Sequence, residues 1–373
     1  MSAPFTFYEF FAGGGMARAG LGEGWTGLFA NDFDAVKAQT YRANGGGDPL
    51  HVGDVWTITP DQLPGRADLA WASSPCQDLS LAGRRAGLDG SRSSAFWGFW
   101  RLMQALGAEG RAPRAIVVEN VTGLLTSNGG ADFTALCQAL ADEGYRFGAV
   151  EMDAAAFLPQ SRPRMFMVAT RADAPPGQPG TRLHGGRVRD AFARLPDALK
   201  SRWIWWDALA PPARNTDLAS ILEPDDQVVW HDAAQTAALM ALVSPLHLTR
   251  LRQMQAGPRA VGAVYRRTRV ESGAKVQRAE VRFDGLAGCL RTPGGGSSRQ
   301  FVMLLERGEV RTRPLTAREC ARLMGLPDDY VLPAGTTRAL HILGDGVAAP
   351  VVRWLAAHIL EPLLTQKPAM AAE

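Results

Sequence analysis

Six short apolar runs, at 5–11, 25–30, 69–72, 115–118, 147–152 and 165–170, each end in a loop, and stretches of helical periodicity such as 96–106 and 133–140 separate them. Alternation of this kind restricts the chain to an α/β fold, a mostly parallel sheet with helices on both faces. A parallel strand pair cannot be closed by a tight hairpin, so each run needs a crossover before the next. Sheets built this way gather their functional groups in the loops beyond the carboxyl ends of the strands. The pattern fades at 172–180, whose Ala, Pro and Gly content reads as a linker. Residues from about 181 to 335 are irregular and rich in Arg, Trp and Gly. Gly344-Asp345-Gly346-Val347 and 350–364 then read as a loop and a closing helix.

A chain of 373 residues with 46% apolar and 21% charged content has the makeup of one large or two modest globular domains. No apolar run approaches the roughly 18 residues of a membrane span. The segment Phe5-Thr6-Phe7-Tyr8 follows the N-terminus with no basic stretch before it, so no signal peptide is expected. Cys76, Cys137, Cys289 and Cys320 lie far apart without a CxxC pair, which suits a reduced cytoplasm and suggests no metal site. Cys137 and Cys320 sit at helical apolar spacing and read as core; the place of Cys289 stays open. The net charge of +3 hides a division: residues 1–160 carry 11 Lys and Arg against 17 Asp and Glu, whereas 250–322 carry 16 against 6. Arginine supplies 36 of the 40 basic residues and is the side chain best suited to bidentate phosphate and base-edge contacts. An acidic catalytic part joined to a polyanion-binding part is the reading that follows. Coding bias explains the preference for Arg but not its clustering.

Two loops promise covalent chemistry. Pro75-Cys76-Gln77 follows the run 69–72, and the proline restricts the direction of the cysteine beside it. The run 115–118 ends in Glu119-Asn120, so a thiol and a carboxyl arrive at one edge of the sheet. A third loop, Phe11-Ala12-Gly13-Gly14-Gly15, lies between strand and helix, where glycines allow tight turning and close ligand approach. It lacks the third glycine of the dinucleotide fingerprint, which favours S-adenosylmethionine over NAD. Asp32, at the end of the second run, is placed for a ribose hydroxyl. Glu9 reads either as a partner for the methionine amino group or as a strand-end carboxylate. Asp54 reads either as a neighbour of adenine or as a turn-forming aspartate.

Six motifs in order then carry a resemblance: the loop 11–15, Pro75-Cys76-Gln77, Glu119-Asn120-Val121, Gln160-Ser161-Arg162-Pro163-Arg164, the stretch from Arg313 to Gly325, and Gly344-Asp345-Gly346-Val347. The chain resembles the DNA (cytosine-5) methyltransferases. The resemblance implies a Rossmann-like S-adenosylmethionine-dependent domain at 1–175 plus 336–373 and a smaller target-recognition domain within 176–335. Cofactor contacts are implied at Glu9, Phe11, Ala12, Gly13, Gly15, Asp32, Phe33, Asp54, Val55, Pro75, Asp345 and Val347. Double-stranded DNA is the implied partner of a monomeric, cytoplasmic, nucleoid-associated protein of bacterial type, and a cognate restriction endonuclease is left open. The chain departs from the family at Glu9, where aspartate is usual, at Ser73, where glycine is usual, and at Asp345, where asparagine is usual. A carboxylate at 345 would repel the methionine carboxylate, so Asp345 is expected to pair with an Arg or a backbone N–H, or to face the sulfonium end.

The chemistry implied explains the residue types. C5 of cytosine is a poor nucleophile, and addition of the Cys76 thiolate to C6 makes it enamine-like. Glu119, kept protonated in a dry pocket, is the implied acid at N3. Asn120 either fixes the backbone around the pocket or caps a helix. Arg164 is implied to reach the cytosine O2 and the thiol while Arg162 supports the pocket. The target base must leave the helical stack, and 78–94 has the Gly, Ser and Arg content of a mobile lid. Gln77, Ser80, Arg84, Arg85 and Arg92 there, and Ser297, Ser298 and Arg299 in a second glycine-rich loop, are the expected DNA contacts. Trp203-Ile204-Trp205-Trp206 reads as small-domain core rather than a base-stacking platform. A zinc-dependent deaminase is excluded, because Leu79 stands where its second cysteine is needed and Val52-Gly53 follows His51. A non-catalytic DNA-binding protein and a tRNA cytosine-5 methyltransferase remain the rival readings.

Overall fold

The computed structural model describes residues 5–45, 47–75, 95–174, 177–179, 183–211, 213–271, 273–293 and 299–365. The chain divides into two compact units: 1–153, 163–211 and 351–373 form the first, and 154–162 with 212–350 the second.

All six apolar runs form strands of one seven-stranded sheet in the first unit: β1 (Phe5–Phe10), β2 (Trp25–Asp32), β4 (Leu69–Ala72), β5 (Ala115–Val121), β6 (Arg146–Asp153) and β7 (Pro163–Thr170). The seventh, β3 (Leu50–Val52), is too short to show as a run. The order is β3-β2-β1-β4-β5-β7-β6; the first five strands are mutually parallel, while β7 runs antiparallel to both its neighbours. The order reverses between β1 and β4, the chain leaving β1 toward one side of the sheet and β4 toward the other. Ligands bind at such a crevice, beyond the carboxyl ends of the strands.

Helices α1 (Met16–Leu21), α2 (Ala35–Asn44), α3 (Ala95–Ala108) and α4 (Ala131–Asp142) belong to this sheet's crossovers. The apolar stripe of α3 explains its packing: Phe96, Phe99, Trp100, Leu102, Met103 and Leu106 join Phe10, Phe29 and Val118 in one core, with Phe10 and Phe99 ring centroids 5.0 Å apart. The same core takes in residues beyond the linker. Val188 and Ala191 of α5 (Gly186–Arg194) pack into it, and Trp203 stacks edge-on against Phe133 and Phe147 at 6.2 and 6.1 Å. Trp206 donates its indole N–H to the Gly148 carbonyl at 3.0 Å, and the Ile204 N–H bonds the Phe147 carbonyl at 2.7 Å. The tryptophan cluster is core, as its composition suggests, but it serves the first unit and covers the edge strand β6. The expected boundaries at 175 and 335 therefore move: 177–211 pack with the first unit, while 154–162 and 336–350 belong to the second.

The second unit is more regular than its sequence suggests. Helices α6 (Ala233–Ala241) and α7 (Pro245–Gln255) pack on a four-stranded antiparallel sheet ordered β11-β10-β8-β9, from β8 (Ala260–Glu271), β9 (Ala274–Arg282), β10 (Gln300–Glu306) and β11 (Glu309–Pro314). β9 and the outer half of β8 interleave arginine with other residues, so only short apolar stretches such as Phe301–Leu305 of β10 announce the sheet. After β11, α8 (Ala317–Leu323) opens with a capping box between Thr316 and Glu319. Glu319 also forms a fully buried two-point pair with Arg313, at 2.8 and 2.6 Å, and accepts from the Glu223 N–H at 2.9 Å. One carboxylate thus joins three segments of the unit, and the guanidinium left behind by its removal would be buried without a counter-charge. The stretch 336–365, which includes α9 (Thr336–Asp345), is long and apolar enough by composition to cross a membrane, but its apolar window is 67% buried inside the protein, as in a core helix.

Glu319→Ala should destabilise the second unit by about 3–5 kcal/mol, the cost of breaking a buried ion pair on one side. Hydrogen exchange should show lost protection in β11 and α8 with β1 and β4 unchanged; wild-type protection throughout would contradict the assigned role.

Candidate active site

The β1 strand delivers the glycine loop to the switch point. Phe11 and Gly13 both adopt left-handed backbone, at φ 58° and 57°, which turns the chain sharply before α1. Hydrogen bonds from Ala12 N–H to the Asn31 carbonyl, 2.9 Å, and from Gly13 N–H to Asp32 Oδ2, 2.7 Å, lock the turn to the end of β2. A Cβ at Gly13 would meet no heavy atom within 4 Å, so the loop presents open space there. Asp32 spends its other oxygen on the Asp34 N–H at 2.8 Å, and Phe33 beside it is 79% exposed. The Asn31 amide reaches the carbonyls of His51 and Gly53 at 3.2 and 3.0 Å, which sets the start of the turn bearing Asp54 and Val55.

This loop has no lysine or arginine between Glu9 and Gly15, and Arg18 on α1 is taken up by Asp48 at 2.6 Å. A pyrophosphate would find no cation here. A neutral or cationic ligand with a ribose and a flat base suits the carboxylate, the open glycine and the exposed aromatic ring. S-adenosylmethionine fits that description.

Two of the expected contacts differ in exposure. Glu9 is covered by protein, and burial pushes its pKa up to about 8. Its Oε2 has no hydrogen-bond partner among the described residues. Asp54 is exposed, and its Oδ1 accepts from the Trp56 N–H at 3.0 Å. Sequence reading missed the residue that fixes this turn. Arg101 of α3 donates to the carbonyls of Trp56 and Ile58 at 3.1 and 2.7 Å. Its only sequence signal is a lone cation on an apolar helical stripe.

The second group of residues lies at the ends of β4 and β5. Asn120 donates to the Ser74 carbonyl and hydroxyl at 3.1 and 3.3 Å, tying β5 to the segment that ends in Pro75. It fixes backbone, the first of its two readings. Ser73, where the family has glycine, accepts the Trp71 indole N–H at 3.0 Å. Glu119 Oε1 lies 3.1 Å from Arg164 Nε, both side chains largely buried. Cys76, Gln77, Ser80, Arg84, Arg85, Arg92, Ser297 and Ser298 lie outside the described residues; Arg299, just before β10, is exposed.

Arg162 is buried within the second unit and does not share the place of Arg164. It donates to the carbonyls of Leu290, Gly344 and Gly346 at 2.9, 2.8 and 2.6 Å. Its guanidinium therefore supports the turn that carries Asp345. A Cβ at Gly344 would stand 2.5 Å from the backbone of Arg291 and Thr292, so the two segments approach as closely as glycine allows. Among the partners of Asp345 is the Thr292 hydroxyl, which donates to its Oδ1 at 3.1 Å. Val347 is buried.

Residues 5–361 match the family model described as C-5 cytosine-specific DNA methylase. The type II methyltransferase M.HhaI of Haemophilus parahaemolyticus is 26% identical over 95% of this chain and 93% of its own. M1.ScrFI of Lactococcus lactis subsp. cremoris, also named a type II methyltransferase, is 25% identical over 98% and 80%. Among solved structures, the S. pombe Dnmt2 methyltransferase shares the fold with a TM-score of 0.60 at 17% identity, covering 96% of this chain and 99% of that one.

The burial of Glu9 has a consequence for pH. Because its carboxyl ionises late in the folded state, the fold holds an extra proton between about pH 4.5 and 8, and stability falls as pH rises through that window. Urea midpoints at pH 5 and 8.5 should show the wild type losing a few kcal/mol relative to Glu9→Gln. Parallel pH profiles for the two proteins would remove the inferred burial cost.

Proposed function

The chain belongs to the C-5 cytosine-specific DNA methylase family and is a DNA (cytosine-5) methyltransferase, and we propose that it acts on a flipped-out cytosine within a specific double-stranded sequence through a covalent bond from Cys76 to C6. The observation that carries this reading is the Glu119–Arg164 pair at the end of β5, in the strand next to the one that leads through Pro75 to Cys76. A carboxyl and a guanidinium side by side match the N3 and O2 edge of cytosine.

S-adenosylmethionine, when bound, supplies the methyl group; Gly13, Asp32, Phe33 and the turn at Asp54–Val55 would hold it. The Cys76 thiolate adds to C6, the C5=C6 pair shifts to C4=C5 and the C4=N3 pair to N3, where Glu119 delivers its proton, so the ring becomes a neutral enamine nucleophilic at C5 without anionic charge building on nitrogen. Arg164 moves from Glu119 to O2 as the base enters, taking away the positive neighbour that favours the carboxylate and leaving the carboxyl free to carry the proton. After C5 has been methylated, its hydrogen leaves as a proton, Cys76 is expelled as thiolate, and N3 returns its proton to Glu119. Asn120 takes no part in bond making; it fixes the segment before Cys76. The protein works as a cytoplasmic monomer, and its modification would protect a site against an endonuclease of the same specificity.

DNA with 5-fluorocytosine at the target should trap an adduct through Cys76, since fluorine cannot leave C5 as a proton is lost, and Cys76→Ala should form none while still binding DNA. Absence of an adduct with active enzyme would refute the covalent step. Glu119→Gln should slow single-turnover methylation by on the order of 100-fold or more, the usual worth of a positioned acid; an unchanged rate at saturating DNA would remove Glu119 from that role.

A further inference from the structure

β8 outruns the sheet it belongs to. Its pairing with β10 stops at Tyr265, and from Arg266 to Glu271 it pairs among the described residues only with β9, from Ala274 to Ala279. The result is a two-stranded ribbon roughly 20 Å long at about 3.4 Å per residue. A ribbon of this kind is one of the two elements that fit the major groove of B-DNA.

The two faces of the ribbon differ in kind. On one, arginine meets glutamate: Arg267 and Arg269 both pair with Glu280, and Arg278 Nε donates to Glu271 Oε1 at 2.8 Å. Those charges are engaged with one another, and the network stiffens a hairpin that would be marginal alone. The opposite face carries the cross-strand pairs Thr268 with Gln277 and Val270 with Lys275. Thr268, Val270 and Lys275 are exposed and Gln277 half-buried, and no side-chain hydrogen bond or ion pair engages these four among the described residues. At its root this face is anchored by Arg266, whose guanidinium lies 5.2 Å from the Phe301 ring centre.

We propose that Thr268, Val270, Lys275 and Gln277 read base edges in the major groove and set the sequence that is methylated; this rests on the reading of the chain as a DNA methyltransferase. The chemistry separates base reading from backbone gripping. A surface built for phosphate shows free arginine, and here the ribbon's arginines on the ionic face are matched by carboxylates. The free face instead offers an amide that can both donate and accept, as adenine N6 and N7 require, an ammonium for guanine O6 and N7, and methyl groups for the thymine methyl.

Base-resolution mapping of cytosine modification on a plasmid library with randomised flanks tests this with the full-length protein. Gln277→Ala and Lys275→Ala should each lose discrimination by on the order of 10- to 100-fold at one base-pair position, a different one for each. S-adenosylmethionine binding, followed by calorimetry, should stay at the wild-type value. Arg269→Ala, on the ionic face, should keep the wild-type sequence preference. Wild-type preference in both Gln277→Ala and Lys275→Ala, or an even loss of methylation over all sequences, would overturn the proposal. A wild-type protein that modified no DNA would overturn the premise instead, a result distinct from either.

Discussion

The four residues of β4 are the constraint on which the first unit depends. Leu69-Ala70-Trp71-Ala72 are wholly buried and pair in parallel with β1 on one side and β5 on the other, Ala72 standing level with Phe10 and Val118. That register brings three strand ends to the same edge of the sheet. From them emerge the glycine loop, the segment leading to Cys76, and Glu119-Asn120. A strand slipped by one residue would turn every side chain to the opposite face, and Glu119 and the segment ending in Pro75 would no longer leave the sheet side by side.

Once the strands end, ladder hydrogen bonds end too, and buried polar side chains take over the work of holding the backbone. Asp32 secures the Gly13 N–H, Asn31 the start of the Asp54 turn, Arg101 the carbonyls after it, and Asn120 the Ser74 carbonyl. In the second unit Arg162 and Gln160 do the same, Gln160 accepting from Leu290 N–H at 2.9 Å and donating to the Leu323 carbonyl at 2.6 Å. Each replaces a solvating water for a backbone group that would otherwise be buried unpaired, which costs about 1–3 kcal/mol. The loops are therefore held in place by side chains before any ligand enters, which reduces the ordering that binding must impose.

The strand runs and the motif order were legible in the sequence because buried parallel strands are continuously apolar and site loops have distinctive residues. Side-chain direction was not. Arg162 and Arg164 are two apart and share a face if the strand runs through both, but β7 begins only at Pro163 and the chain passes from one unit to the other there. Glu9 and Asp32 are both buried and differ in their partners, Asp32 accepting from two backbone N–H groups, which no local pattern encodes. The second unit escaped for another reason: the half-solvated strands β8 and β9 carry charge on alternate positions, Arg267, Arg269 and Glu271 on one and Arg278, Glu280 and Arg282 on the other, a period-2 signal written in charge instead of hydrophobicity. Trp203 betrayed its role as core but not which core, since packing partners distant in sequence decide that.

Charge shows the same limit of one-dimensional reading. The basic segment 250–322 has 16 Lys and Arg, yet eight of its arginines are ion-paired among the described residues: Arg259, Arg267, Arg269, Arg278, Arg282, Arg311, Arg313 and Arg322. Two of their partners, Asp225 and Asp328, lie outside the segment, so the local excess is smaller than its composition implies. Arg313 is buried against Glu319 and is no more available to phosphate than a core leucine. Salt dependence of DNA binding follows the phosphates actually neutralised, not the number of arginines in the sequence. An arginine already paired brings its carboxylate along, and the pair can meet a phosphate only if the guanidinium gives up one anion for another. The field of the segment still attracts polyanions at a distance. At contact range, recognition falls to the residues that the ion pairs leave free.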